Sequence, residues 1–145
     1  NVKTILNPAP GESNLPEKLL KVTDIVVPNE TEAETITGIH VKDEASAKEA
    51  AEKFHGLGIE AVIITFGAKG AFYDYNGHSE LVPAFKEKAI DTTAAGDTFI
   101  GSMSSILKKD FSNLKDAILY SNKASSLTIQ RFGAQPSIPF KNEIK

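Results

Sequence analysis

The sequence predicts an α/β fold, a mainly parallel sheet flanked by helices. Three observations lead there. Short β-branched runs alternate with stretches of helical spacing along the whole chain. One run, Ala61–Phe66, is apolar almost throughout, as expected of a strand buried on both faces. Turn and cap residues (Pro28, Gly38, Gly56 and Gly58) fall between the two kinds of segment.

Taken in order, Val2–Leu6 reads as a strand closed by the turn-rich Asn7-Pro8-Ala9-Pro10-Gly11. Leu15–Leu20 reads as a short helix. Asp24–Val27 is a second buried strand, stopped by Pro28. Glu30–Thr37 is a helix ended by Gly38. Ala45–Leu57 has apolar residues at 47, 50, 51, 54 and 57, which is helical spacing, with Gly56 and Gly58 at its end. After the strand Ala61–Phe66 come two hairpin strands, Gly70–Tyr75 and Ser79–Val82, around Asn76-Gly77. An extended segment ends near Ile90. Two long helices follow, Ala94–Lys108 and Asn113–Arg131. The first is expected to bury Phe99, Met103, Ile106 and Leu107, the second Leu114, Ala117, Ile118, Ala124 and Leu127. A small helix is expected near Phe140.

With 145 residues, 41% of them hydrophobic, the chain suits one globular domain. A net charge of −3 argues against nucleic acid or an anionic membrane as partner. There is no cysteine, hence no disulfide, thiolate metal site or cysteine nucleophile. His40, His55 and His78 have no ligand spacing and read as surface residues. No apolar run approaches the roughly 18 residues of a membrane span. No leader is visible, since Asn1–Lys3 runs straight into a strand; the non-Met start suggests that upstream residues were removed. No P-loop is present. Gly56-Leu57-Gly58-Ile59-Glu60-Ala61 imitates a dinucleotide fingerprint but precedes a strand instead of following one, so it reads as a helix end. The sequon Asn29-Glu30-Thr31 lacks a secretory context.

Three segments could carry chemistry, each beside a plain structural reading. Asp91-Thr92-Thr93-Ala94-Ala95-Gly96-Asp97 leads small residues into an amphipathic helix. Free amides and the helix dipole there would receive an anion, and Ala94, Ala95 and Gly96 offer no bulk against it. Asp97 reads equally well as a first-turn helix acid. Thr65-Phe66-Gly67-Ala68-Lys69-Gly70 follows the strongest strand, either as a plain connection or as a backbone cradle for a nucleotide. Asn29 and Glu32 match a capping box, or else orient a hydrated Mg²⁺ and phosphate.

Together with Pro28-Asn29-Glu30-Thr31-Glu32-Ala33-Glu34, Asn7-Pro8-Ala9-Pro10 and Gly133-Ala134-Gln135-Pro136-Ser137, these motifs resemble the ribokinase family of phosphofructokinase-B-type sugar kinases, in order and from end to end. The resemblance implies a ribokinase-like fold and ATP-dependent phosphorylation of the 5-hydroxyl of ribose. It implies Asp97 as catalytic base beside the substrate, and Ala94, Ala95, Gly96 and Asp97 as anion hole. Asn29 and Glu32 would sit near Mg²⁺ and phosphate. Thr65, Phe66, Gly67, Ala68, Lys69 and Gly70 would contact nucleotide, and Asn122 the adenine side, where many relatives carry His. Asp91, Thr93, Thr128, Arg131, Gly133 and Ser137 would form a K⁺ site, several through backbone oxygen. Residues 1–145 correspond to the C-terminal nucleotide-binding portion of the large domain; the family's sugar-binding half, with its lid and dimer clasp, has no counterpart here. A cytoplasmic, homodimeric full-length parent is implied, with a fragment prone to self-associate. A non-catalytic nucleotide-binding module, or a sister kinase for fructose, another ketose or a nucleoside, remains as alternative.

Overall fold

The computed structural model describes residues 2–145, in two compact units. Asn1, read above as the lead into the first strand, lies outside the described residues. One unit comprises the chain up to Gly67 with Ala71–Leu81; the other comprises Ala68–Gly70 with Val82–Lys145.

The first unit is built on a mixed five-stranded sheet in the order β1-β2-β3-β4-β5. Its strands are β1 (Ile5–Leu6), β2 (Ile25–Val26), β3 (Ala61–Thr65), β4 (Gly70–Tyr75) and β5 (His78–Pro83), the last running on into the other unit. β1, β2 and β3 are parallel, with Ile5 opposite Ile25 and Val26 opposite Val62. β4 returns antiparallel to β3, Ile63 facing Tyr73. Asn76 (φ 51°) and Gly77 (φ 75°) both take positive φ, as a two-residue turn of type I′ requires.

Three helices belong to this unit: α1 (Glu17–Lys21), α2 (Glu30–Thr37) and α3 (Glu44–Gly56). α1 starts two residues after the predicted Leu15, because Pro16 cannot donate and its carbonyl opens the helix by accepting from Leu19 and Leu20. α3 is opened by a capping box in which Asp43 accepts from Ser46 N at 2.9 Å. Its Ala47, Ala50, Ala51 and Phe54 pack with Val62, Ile64 and Phe72 of the sheet into the core. Truncating a fully buried aromatic such as Phe54 costs about 3–5 kcal/mol. Leu57, expected on that stripe, is 42% exposed, since the helix has already ended. Gly58 (φ 95°) turns the chain and donates to His55 O.

His55 corrects the expectation of a surface residue. It is half-buried, with Nδ1 2.9 Å from Ile59 O and Nε2 3.0 Å from Asp74 Oδ1, and so ties the end of α3 to β4. Its role is structural and no sequence spacing announces it.

The second unit is dominated by α4 (Ala95–Ile106) and α5 (Leu114–Thr128). Phe99 and Met103 of α4 are buried, as are Leu114, Ala117, Ile118 and Ala124 of α5; Ile106, Leu107 and Leu127 are only half-buried. Both helices are shorter than predicted. Asn113 ends α4 by accepting from Lys108 N and donating to Ile106 O, both at 2.9 Å. At the end of α5, Ile129 O accepts from Ile90 N (2.7 Å) and Asp91 N (3.2 Å), which fixes the irregular segment before α4. The helix expected near Phe140 is one 3₁₀ turn, Lys141–Glu143, pinned by Arg131 to Glu143 at 2.6 Å. No helix of the described residues is long and apolar enough to cross a membrane.

β1 is shorter than the predicted Val2–Leu6 because Asp24 intervenes. Its carboxylate accepts from Thr4 N at 2.7 Å and from Lys3 Nζ at 3.1 Å, and Lys3 reaches Glu60 at 2.6 Å. Burial pushes the Asp24 carboxyl up, but the Thr4 amide, the Lys3 ammonium and the Thr4 hydroxyl outweigh it and hold it below the usual carboxylate range. A carboxyl lowered by folding stabilises above its unfolded pKa, and this is lost as pH falls through the folded value. Asp24→Asn should therefore lower the urea midpoint at pH 7, the gap closing as pH falls through and below the ordinary aspartate range. A gap of the same size at every pH would show that the charge is not what matters.

Candidate functional site

In the first unit the candidate residues gather where the parallel strands end. Asn29 lies just beyond β2 and bridges to Thr65 at the end of β3, whose N–H donates to Pro28 O at 2.9 Å. Open α/β sheets place their ligands at this edge. Asn29 Oδ1 accepts from Glu32 N, and Glu32 Oε2 accepts from Asn29 N, each at 2.8 Å. The capping box is thus real, and it uses one polar atom of each side chain. Asn29 Nδ2 and Glu32 Oε1 have no partner among the described residues, so hard-oxygen and amide contacts to a hydrated divalent cation or phosphate fit the pair.

Sequence reasoning missed Gly11. A Cβ there would stand 2.9 Å from Glu32 Cα and 3.3 Å from its Cβ and Cγ. Only glycine lets the loop after β1 rest on Glu32. Asn7 anchors the same loop by donating to Val27 O at 2.8 Å. The abundance of turn residues there signalled a loop, but nothing in the sequence pointed to its neighbour. Phe66 is buried, so only its backbone could meet a ligand. Gly67 (φ 52°) has nothing within 4 Å of an added Cβ and is required by backbone conformation alone.

In the second unit, Ala68 and Lys69 are exposed, whereas Gly70 (φ 117°) is packed tightly. A side chain on it would overlap Val82 O and come within 2.7 Å of Ala84 N. Ala84 N in turn donates to Lys69 O at 3.3 Å. Asn122, on α5, is buried, and its amide nitrogen donates to Val82 O and Pro83 O at 3.1 Å each.

α4 begins unusually. Ala94, its N-cap, is left-handed (φ 61°, ψ 11°) and gives no side-chain cap. A left-handed residue followed by helical ones turns successive N–H groups into one concavity, an anion nest. Ala95 N donates to Thr92 O at 3.2 Å, while Gly96 N and Asp97 N have no acceptor among the described residues. Gly96 has open space where a Cβ would stand. Asp97 is exposed, in the first turn. α5 holds this turn through two hydroxyls one turn apart: Ser125 Oγ donates to Ala95 O and Thr128 Oγ1 to Thr98 Oγ1, both at 3.0 Å.

Of the six residues expected around K⁺, three meet directly. The Asp91 carboxylate accepts from Thr93 N and Gly133 N, each at 2.9 Å. Hydrogen bonds from the Thr93 side chain, the Gly133 amide and the Thr93 amide hold its carboxyl below the usual range. Ser137 is buried and donates to Ala134 O at 2.6 Å. The Thr128 hydroxyl donates to Thr98 of α4, and the Arg131 guanidinium, itself a cation, is paired with Glu143, so Arg131 could offer a cation only main-chain oxygen. An all-oxygen set of this kind suits a hard cation.

Comparison with known proteins gives the chain a family. The family model described as pfkB family carbohydrate kinase matches residues 1–141. The chain is 56% identical over 143 residues to a bifunctional ribokinase/ribose-5-phosphate isomerase A of Fructilactobacillus sanfranciscensis, covering 99% of this chain and 26% of that protein. It is 52% identical over 143 residues to a ribokinase of Staphylococcus aureus, covering 99% of this chain and 47% of the relative. It superposes on an Arabidopsis thaliana ribokinase solved with ribose and ATP with a TM-score of 0.89 at 30% identity, covering 99% of this chain and 46% of that one. The chain therefore spans about half the length of the ribokinases it matches.

The packing of Gly70 separates a structural from a ligand-binding glycine. Gly70→Ala should destabilise the protein by about 3 kcal/mol or more, since the methyl meets backbone at a strained φ. Chemical denaturation checks this, and a loss below about 1 kcal/mol would mean that Val82 and Ala84 move aside freely.

Proposed function

Because the chain belongs to the pfkB family of carbohydrate kinases, we propose that it is the nucleotide-binding portion of a ribokinase, an enzyme that moves the γ-phosphoryl group of ATP to the 5-hydroxyl of ribose. The observation that carries this reading is the start of α4. A left-handed Ala94 makes a nest of backbone N–H groups, two amides have no acceptor among the described residues, and an exposed carboxylate stands beside them.

In this reading Asp97 accepts the proton of the sugar hydroxyl as its oxygen bonds to the γ-phosphorus. The bond from that phosphorus to the β,γ-bridging oxygen breaks, and ADP departs with that oxygen. The amides at Gly96 and Asp97 face the charge gathering on the phosphoryl oxygens. They need no reorganisation, because α5 already fixes the turn through Ser125 and Thr128. Asn29 and Glu32 are assigned to Mg²⁺-bound water and phosphate, and Thr65–Gly70 to the nucleotide. Asp91, Thr93 and Ser137 with the main-chain oxygens of Thr128, Arg131 and Gly133 are assigned to K⁺. When bound, Mg²⁺ would neutralise charge between the phosphates, and K⁺ would add a fixed positive field. The full-length enzyme is assigned to the cytoplasm as a homodimer, its ribose contacts lying in the half of the relatives that this chain does not span.

Two substitutions test the reading. Gly96→Ala should leave stability equal or slightly higher, since the methyl has open space and alanine is the better helix former by up to about 1 kcal/mol. ATP affinity should nonetheless fall, because the methyl intrudes on the bare amides. In a full-length protein carrying this segment, Asp97→Asn should lower kcat by about 10²–10⁴-fold with little change in ATP affinity. Near-normal turnover in Asp97→Asn would reduce Asp97 to a first-turn helix acid and remove the mechanism.

A further inference from the structure

Asn122 stands where the resemblance expects a contact to adenine, yet its amide hydrogens point elsewhere. Both are directed at main-chain carbonyls of the segment after Leu81: Val82 O and Pro83 O, at 3.1 Å each. The next α5 residue grips the same segment, with the Lys123 ammonium 4.8 Å from the centre of the Phe85 ring. This segment is in turn the surface against which Gly70 fits without a side chain, and Ala84 N donates to Lys69 O at 3.3 Å. A continuous chain of contacts thus runs from the Asn122 amide through residues 82–84 to Lys69 and Gly70.

We propose that Asn122 is a positioning residue and not a reader of the base: it holds residues 82–84 so that Lys69 and Gly70 present the nucleotide turn in one conformation. The inference rests on reading that turn as part of the nucleotide site. Three facts favour it over a base contact. The residue is only 6% exposed. Its donors are committed at good distance. And the carbonyls they serve adjoin the position where no Cβ fits, so small shifts of residues 82–84 must move Gly70 as well.

The two roles differ in what their loss does to different nucleotides. A base reader, when lost, weakens ATP binding and spares GTP. A clamp, when lost, weakens both alike. Asn122→Asp keeps the size but sets a carboxylate against two carbonyls, and Asn122→His restores a single donor. Ser121→Ala serves as control, since that hydroxyl donates within its own helix to Ala117 O at 2.7 Å. Two readouts are needed: amide hydrogen exchange at Ala84 without nucleotide, and ATP and GTP dissociation constants by calorimetry. Asn122→Asp should speed exchange at Ala84 and weaken both nucleotides by the same factor, on the order of tenfold. Asn122→His should recover part of each, and Ser121→Ala should move neither. Should Asn122→Asp fail to fold, Asn122→His carries the same two readings. A loss confined to ATP, or unchanged exchange at Ala84, overturns the proposal. Absence of nucleotide binding by the wild-type chain would instead remove the reading of the turn, and the exchange measurement would still decide whether Asn122 holds the segment.

Discussion

A backbone amide or carbonyl that loses water and finds no partner costs as much as a lost hydrogen bond, and this constraint organises the chain. Strands and helices satisfy their own interiors; their ends must be served by something else. Here the service comes from a few short polar side chains. Asp24 takes the Thr4 amide, Asn29 and Glu32 exchange bonds across the start of α2, and Asp43 and Ser46 do the same for α3. Asp91 gathers the amides of Thr93 and Gly133, and Asn122 serves the carbonyls of Val82 and Pro83. Against that pattern, among the described residues the start of α4 has no side-chain cap and keeps two amides open.

That opening depends on α5. A helix with Ser121, Asn122, Ser126 and Thr128 all buried would be a poor core element if those groups were unpaired. Each is satisfied. Ser121 and Ser126 bond back to their own helix, while Asn122 and Thr128, joined by the half-buried Ser125, reach outward. Outward bonds are directional in a way that leucine packing is not. α5 therefore specifies where the first turn of α4 and the segment at residues 82–84 lie, and not merely that they are covered.

Much of the fold was legible because burial writes itself into composition. Ala61–Ile64 is continuous and apolar, and all four residues are fully buried. Glu30–Thr37 was delimited by Asn29 and Gly38, which do cap it, and Asn76-Gly77 does form its turn. The illegible parts depend on neighbours distant in sequence. β1 is cut short by a carboxylate twenty residues on. His55 is drawn inward by Asp74, nineteen residues away. Gly11 and Gly70 look like ordinary loop glycines until the backbone each one faces is known. The site divides in the same way. Its candidate residues are proposed through their likeness to a family motif, because spacing alone left a helix acid as open a reading of Asp97, and a cap as open a reading of Asn29 with Glu32, as any ligand role. The cap reading of Asn29 and Glu32 holds, with both reciprocal bonds formed, and side-chain commitments such as that of Asn122 could not be read from order.

The start of α4 also contains an inversion. Ala94 occupies a left-handed conformation that glycine adopts freely, and two residues later Gly96 occupies a helical position that alanine prefers. Exchanging the two would relieve strain at one position and chain entropy at the other, together up to about 2–3 kcal/mol. Any procedure that rewards thermal tolerance alone, whether automated redesign or laboratory selection for heat resistance, would be drawn to that exchange. The most accessible stabilising change in this part of the protein is therefore the one that would bury its open amides under a methyl group. An engineering campaign on this scaffold would do well to hold both positions fixed and to take its gains elsewhere.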